Sequence, residues 1–155
     1  MSGASRTADK IFAWLAAITA VAVLVQVFLA GVGVFGLDAP KAEDAGSFDA
    51  HRMLGEIIGG LTLLMLIAAL VARSSRRVVW TSIVLFLLAE FAQHGLASGG
   101  NSNKWVGGLH ALDGVVILLM ALWLHLDSRP RLTGRAAPAA EPPAAEPPAA
   151  QSPVA

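Results

Sequence analysis

The sequence predicts an all-α integral membrane protein: a four-helix up-down bundle followed by a disordered Pro/Ala-rich C-terminal tail. Three observations carry this expectation. Four apolar runs, 11–36, 53–72, 78–97 and 105–126, each reach the roughly 20 residues that span a hydrocarbon core. None of them shows the period-2 alternation of barrel strands, and in lipid the remaining way to satisfy the backbone is a helix. The composition agrees, since the chain is 55% hydrophobic and 14% charged, against about a quarter charged in an ordinary soluble domain.

At 155 residues the chain is read as one bundle, 11–127, between a cytoplasmic N-terminus, 1–10, and a tail, 128–155. The first apolar run is too long for a signal peptide, whose apolar region is about 7–15 residues, so it is read as a retained anchor. A polar turn with Asp38, Lys41, Glu43, Asp44 and Asp49 leads to the second run. The turn Arg73-Ser74-Ser75-Arg76-Arg77 joins the second and third runs, and a Gly/Asn/Ser loop, 98–104, joins the third and fourth. From Ala136 onward Pro-Ala-Ala-Glu-Pro-Pro units recur, a composition of extended polyproline segments that serves as a spacer or as a docking peptide for a proline-binding module.

Basic residues divide unevenly between the two ends. Arg6, Lys10, Arg73, Arg76, Arg77, Arg129, Arg131 and Arg135 fall on the side of the termini, and Lys41, Arg52 and Lys104 on the other. The positive-inside rule then predicts a multi-pass plasma-membrane protein with both termini in the cytoplasm. Trp14, Trp80 and Trp123 fall near that face and Trp105 near the outer one, as an aromatic belt requires.

Counting depth at about 1.5 Å per residue collects the polar groups into one layer of the outer half. The layer contains Gln26 in the first helix, Glu56 in the second, Glu90, Gln93 and His94 in the third, and His110 and Asp113 in the fourth, below His51 at the mouth of the second. An acid at a helix centre costs about 2.5–3.5 kcal/mol on insertion scales. Glu56, Glu90 and Asp113 are therefore expected to face the bundle interior. Gly55-x-x-x-Gly59 has the spacing that lets helices, or a flat ligand, approach closely.

His51 and His110 each begin a different helix at similar depth. The positive end of the helix dipole favours the neutral imidazole there, which is the form that ligates metal. Two such rings facing each other across a bundle can hold a haem iron, with Arg52 and Lys104 at the rim for its propionates. His94 can hydrogen-bond Glu90, replace one ligand, or join a carboxylate in a zinc site. His125 stands alone at the cytoplasmic end and is read as interfacial.

Gln26-Val27-Phe28-Leu29-Ala30-Gly31, His51-Arg52-Met53-Leu54-Gly55 and Leu109-His110-Ala111-Leu112 resemble the corresponding stretches of one four-helix half of the haem A synthase family. They are also similar to a set of uncharacterised small four-helix membrane proteins. The resemblance covers about residues 11–126 and implies that His51 and His110 are axial haem ligands. The chain departs from the synthases in having one half instead of two, Phe48 where they carry a glutamate, Asp49 beside it, and no cysteine pair. The resemblance therefore implies haem binding more than oxidation of a haem methyl group.

The leading expectation is a small membrane protein binding b-type haem between His51 and His110, with His94, Arg52, Gly55 and Gly59 lining the site and electron transfer as its role. Its partners are then the lipid bilayer and a membrane redox protein or a second copy. The alternative is a non-redox accessory protein that binds other membrane subunits through its glycine faces. Ion passage along Glu56, Glu90 and Asp113 lacks a polar path through the inner half. No soluble-enzyme motif occurs, which favours a non-enzymatic role and leaves an enzymatic one open. The absence of cysteine excludes thiol chemistry and disulfides, and the formal net charge of +0 gives no case for nucleic acid.

Overall fold

The structure, a computed structural model, describes residues 3–36 and 48–132. It contains four helices: α1 (Gly3–Gly36), α2 (Asp49–Val71), α3 (Arg76–Gly100) and α4 (Lys104–Leu132). All four contain a stretch long and apolar enough to cross a membrane. α1 packs against α2 and α4, and α3 packs against the same two. The bundle is therefore an up-down ring in which α2 and α4 are diagonal partners. Both described chain ends and the α2–α3 turn lie at one end, the termini end, and the α3–α4 loop lies at the other, the loop end.

Each helix boundary has a local cause. α2 stops in a Schellman arrangement, with Arg73 at φ 55° and the N–H groups of Arg73 and Ser74 donating to the carbonyls of Leu70 and Ala69. Ser75 then caps α3, its hydroxyl accepting from the Val78 N–H at 3.4 Å. Asn103 starts α4 in the same way, its Oδ1 accepting from the Trp105 N–H at 3.0 Å. The connection between α3 and α4 is tight because Gly100 and Gly107 meet backbone to backbone. A Cβ on Gly100 would lie 3.0 Å from the Gly107 Cα.

The packing is that of a membrane protein. Large apolar side chains such as Phe28, Phe35, Met53, Leu64 and Leu119 point outward, while Ala13, Ala16, Ala69 and Ala121 are fully buried between helices. In the termini half each helix also contributes one large buried side chain: Phe12, Met65, Leu85 and Leu124. One to three turns nearer the loop end, Val23, Ile58, Ala89 and Ile117 continue the same cluster, again one from each helix. Thr19, Thr62 and Ser82 are buried there too, and each finds a partner in Met65 Sδ, the Gly59 carbonyl or the Val78 carbonyl.

The helices run further than the apolar runs at the termini end. The segment expected as a separate N-terminus, 1–10, is helical from Gly3, because Ser5 donates to the Ala72 carbonyl at 3.0 Å and Ala8 and Asp9 are buried. α4 likewise runs through Leu132, into the stretch expected as tail, with Ser128 buried and donating to the His125 carbonyl. The rest of the expected Pro/Ala tail lies outside the described residues, as does most of the α1–α2 loop.

α3 has one irregularity. Residues Leu88–Ala92 form a π turn, which carries Glu90 and leads directly into Gln93. Proline and glycine are absent from this stretch. π turns of this kind are frequent at functional sites.

Candidate functional site

The next layer toward the loop end is polar, and it is built twice. On one side, the Gln26 amide of α1 donates to the His51 carbonyl of α2 at 2.7 Å, while His51 Nδ1–H donates back to the Gln26 carbonyl at 3.1 Å. On the other, the Gln93 amide of α3 donates to the His110 carbonyl of α4 at 3.1 Å, and His110 Nδ1–H donates to the Gln93 carbonyl at 3.3 Å. A glycine stands four residues after each histidine, and Gly55 makes room for its glutamine, whereas a Cβ at Gly114 would be in ordinary contact. A Cβ on Gly55 would lie 3.3 Å from Gln26 Nε2, and one on Gly114 would lie 3.8 Å from Gln93 Nε2. The helix pairs α1–α2 and α3–α4 thus carry the same Gln, His-x-x-x-Gly clasp.

The two clasps converge. His51 and His110 lie on diagonal helices, yet their ring centroids are 6.1 Å apart, with the planes inclined at 66°. A carbonyl oxygen can only accept, so each Nδ1 carries the proton in its bond, and a neutral ring then keeps its lone pair on Nε2. Neither Nε2 has a hydrogen bond among the described residues. Phe48 closes the layer above His51, edge-on at 6.0 Å. It also covers Gly33, where a Cβ would lie 2.6 Å from the Phe48 ring.

The copies differ in what surrounds them. Gln93 donates a second bond, to Asp113 Oδ2 at 2.9 Å, which accounts for the half-buried Asp113. The Gln26 Oε1, by contrast, is buried without a hydrogen-bond partner. Asp113 and Gln93 lie inward, as expected of a polar layer facing the bundle.

Glu56 and His94 do not. Their side chains are 66% and 49% exposed, and His94 Nε2 meets Glu56 Oε1 at 2.9 Å on the flank between α2 and α3. Helical phase is the reason for Glu56: five residues at about 100° each turn it about 140° away from His51. The His94 Nδ1 is bonded to the Glu90 carbonyl. Both nitrogens are thus engaged, one by the Glu56 carboxylate and the other by the main-chain carbonyl of Glu90. Among the described residues no group of three or more His, Asp or Glu could hold a metal ion. The Glu90 carboxylate lies against Gly59, where any Cβ would collide with it.

The remaining expected site residues fall at the margin. Arg52 pairs with Asp49 at 2.7 Å on the exposed side of α2, and Lys104 lies over the Trp105 ring at 5.9 Å. The faces of Gly55 and Gly59 are filled by the Gln26 and Glu90 side chains. His125 binds α1 at the termini end, its Nδ1–H donating to the Ala13 carbonyl at 3.0 Å. The paired clasp itself is what sequence reasoning missed. Its signal was present in the recurrence of His-x-x-x-Gly at 51–55 and 110–114, each copy preceded by a glutamine near the loop end of the previous helix.

Fold and site together define a small multi-pass, four-helix membrane protein with a polar layer in one half. The sequence model of a family of unknown function, DUF6220, matches residues 26–99, which include Gln26, His51, Gly55 and Gln93 and end before His110. No curated protein and no solved structure matches the chain. The resemblance to the haem A synthases therefore gains no support from these comparisons.

Proposed function

We propose that the protein binds a b-type haem between His51 and His110 and passes single electrons at the loop end of the bundle. The observation that supports this reading is the duplicated clasp, which orients both rings through Nδ1 and leaves both Nε2 atoms for a ligand. The two rings also lie together, on diagonal helices, with centroids 6.1 Å apart. Bound there, the haem would supply one-electron chemistry. The chain's part is to hold each imidazole in the Nδ1–H tautomer through the Gln26 and Gln93 carbonyls, and to surround the pair with dry helix.

The same ring geometry also describes an edge-to-face contact between two neutral imidazoles. This favours, as the second reading, an interhelical lock in a cofactor-free accessory subunit. An absorption spectrum of the protein purified from haem-replete cells separates the two. The haem reading expects a Soret band that His51→Ala and His110→Ala each abolish while the helical circular dichroism persists. A colourless, folded protein overturns it.

The orientation in the membrane belongs to the same proposal. The arginine-rich turn, together with Arg6, Lys10 and Arg129 at the termini end, favours a cytoplasmic location for that end and an outer location for the histidine layer.

A further inference from the structure

The α3–α4 hairpin is closed at one end and open at the other. At the loop end Gly99 and Gly100 pack directly on Val106 and Gly107. At the termini end the two helices separate around a groove of about 400 Å³, lined by Arg77, Thr81, Val116, Leu119, Met120 and Trp123. From Trp123 at the rim to Val116 the groove runs roughly 10 Å into the apolar span. It opens sideways, where the bilayer lies.

The rim and the turn beside it carry positive charge. Arg73, Arg76 and Arg77 are exposed, and none pairs with a carboxylate among the described residues. Arg76 and Arg77 stand in the first turn of α3, which has no acidic residue, so the positive end of the helix dipole adds to their charge. The Arg77 guanidinium lies over the Trp123 ring at 4.5 Å. Stacking of this kind occupies the flat face of the guanidinium and leaves its in-plane N–H donors available to a phosphate.

We propose that this groove is a binding site for one anionic phospholipid, with the phosphate at Arg77 and an acyl chain between α3 and α4 along Met120 and Val116. Charge complementarity selects the occupant. A neutral helix from a partner would fill the apolar part and leave the Arg77 guanidinium without a counter-charge. A free phosphate would satisfy the rim and leave the apolar part open.

The test is native mass spectrometry of the full chain released from nanodiscs of equal phosphatidylglycerol and phosphatidylcholine with matched acyl chains. Phosphatidylglycerol is expected to be retained at roughly fivefold excess, the factor given by one guanidinium near a headgroup. Arg77→Ala, an exposed change that leaves the fold intact, should bring the two lipids to parity. Met120→Trp should displace the bound lipid. Arg6→Ala, at the same end but on α1, should leave the excess unchanged. Parity in the unaltered protein overturns the proposal, and so does persistence of the excess in Arg77→Ala. Equal loss with Arg6→Ala would make the attraction diffuse, and a lipid-free dimer would assign the groove to a second copy. Retention of soluble glycerol phosphate as firmly as the lipid would reduce the site to a free-phosphate site. Each of these three results also overturns it.

Discussion

The imidazole rings of His51 and His110 meet at 6.1 Å although they stand on helices that do not otherwise pack together. Each is held from behind by a glutamine on a different neighbouring helix. Four helices thus meet at two rings, and the meeting point lies about two turns beyond the apolar plug formed by Val23, Ile58, Ala89 and Ile117.

Because the clasps share this centre, losing one should weaken the other. Gln26→Leu should cost about 1 kcal/mol, the usual net worth of a lost hydrogen bond, and Gln93→Leu about 2–3 kcal/mol, because it also removes the donor to Asp113 Oδ2. The double variant should depart from additivity by at least about 0.5 kcal/mol. Denaturant unfolding of the four proteins of this cycle, followed by circular dichroism in one detergent, measures it. Strict additivity would mean that the rings do not couple the two halves.

Two adjacent glycines should respond oppositely to alanine. Gly59 is covered by the tip of the flexible Glu90 side chain, which must swing aside for a Cβ, so Gly59→Ala should destabilise by no more than about 1 kcal/mol. Gly60 faces open space, so Gly60→Ala should stabilise by up to about 1 kcal/mol through helix propensity. Combining Gly59→Ala with Glu90→Ala should recover most of the loss, because the colliding group is then gone. Thermal unfolding of the variants checks the order.

The Glu56–His94 pair is half exposed on the flank of the bundle. Glu56→Gln should therefore change stability by less than about 1 kcal/mol in detergent, the range of exposed ion pairs. It should also leave any Soret band of the protein in place, since the pair stands apart from the two clasps. A lost band would move His94 into the site.

Sidedness is checked with reporters. A fluorescent protein that folds only in the cytoplasm should glow when fused after Ala155, and a periplasmic phosphatase fused at the same place should stay inactive. The reverse pattern would place the histidine layer on the inner side.

Much of the architecture could be read from residue types. Runs of some 20 apolar residues in hydrocarbon leave the backbone one way to satisfy itself, so the four helices and their alternation followed directly. The depth of the polar layer followed as well, because helical rise converts sequence position into height. Which way each group faces was harder. Glu56 was expected inside, and its helical phase relative to His51 was enough to say otherwise. Glu90 and Gln93 depend on the π turn at Leu88–Ala92, for which no proline or glycine gives a cue.

The sequence by itself determined the class of protein, the number of spans and the height at which histidines, acids and glutamines collect. Only the tertiary structure decided that Gln26 belongs to His51 and Gln93 to His110, and that Glu56 and His94 stand outside the central pair. The physical reason is that height along a helix is a local property of the chain. Azimuth and pairing, by contrast, are set by the contacts among all four helices, here by Gly55 making room for the Gln26 amide and by Gly59 yielding its face to Glu90.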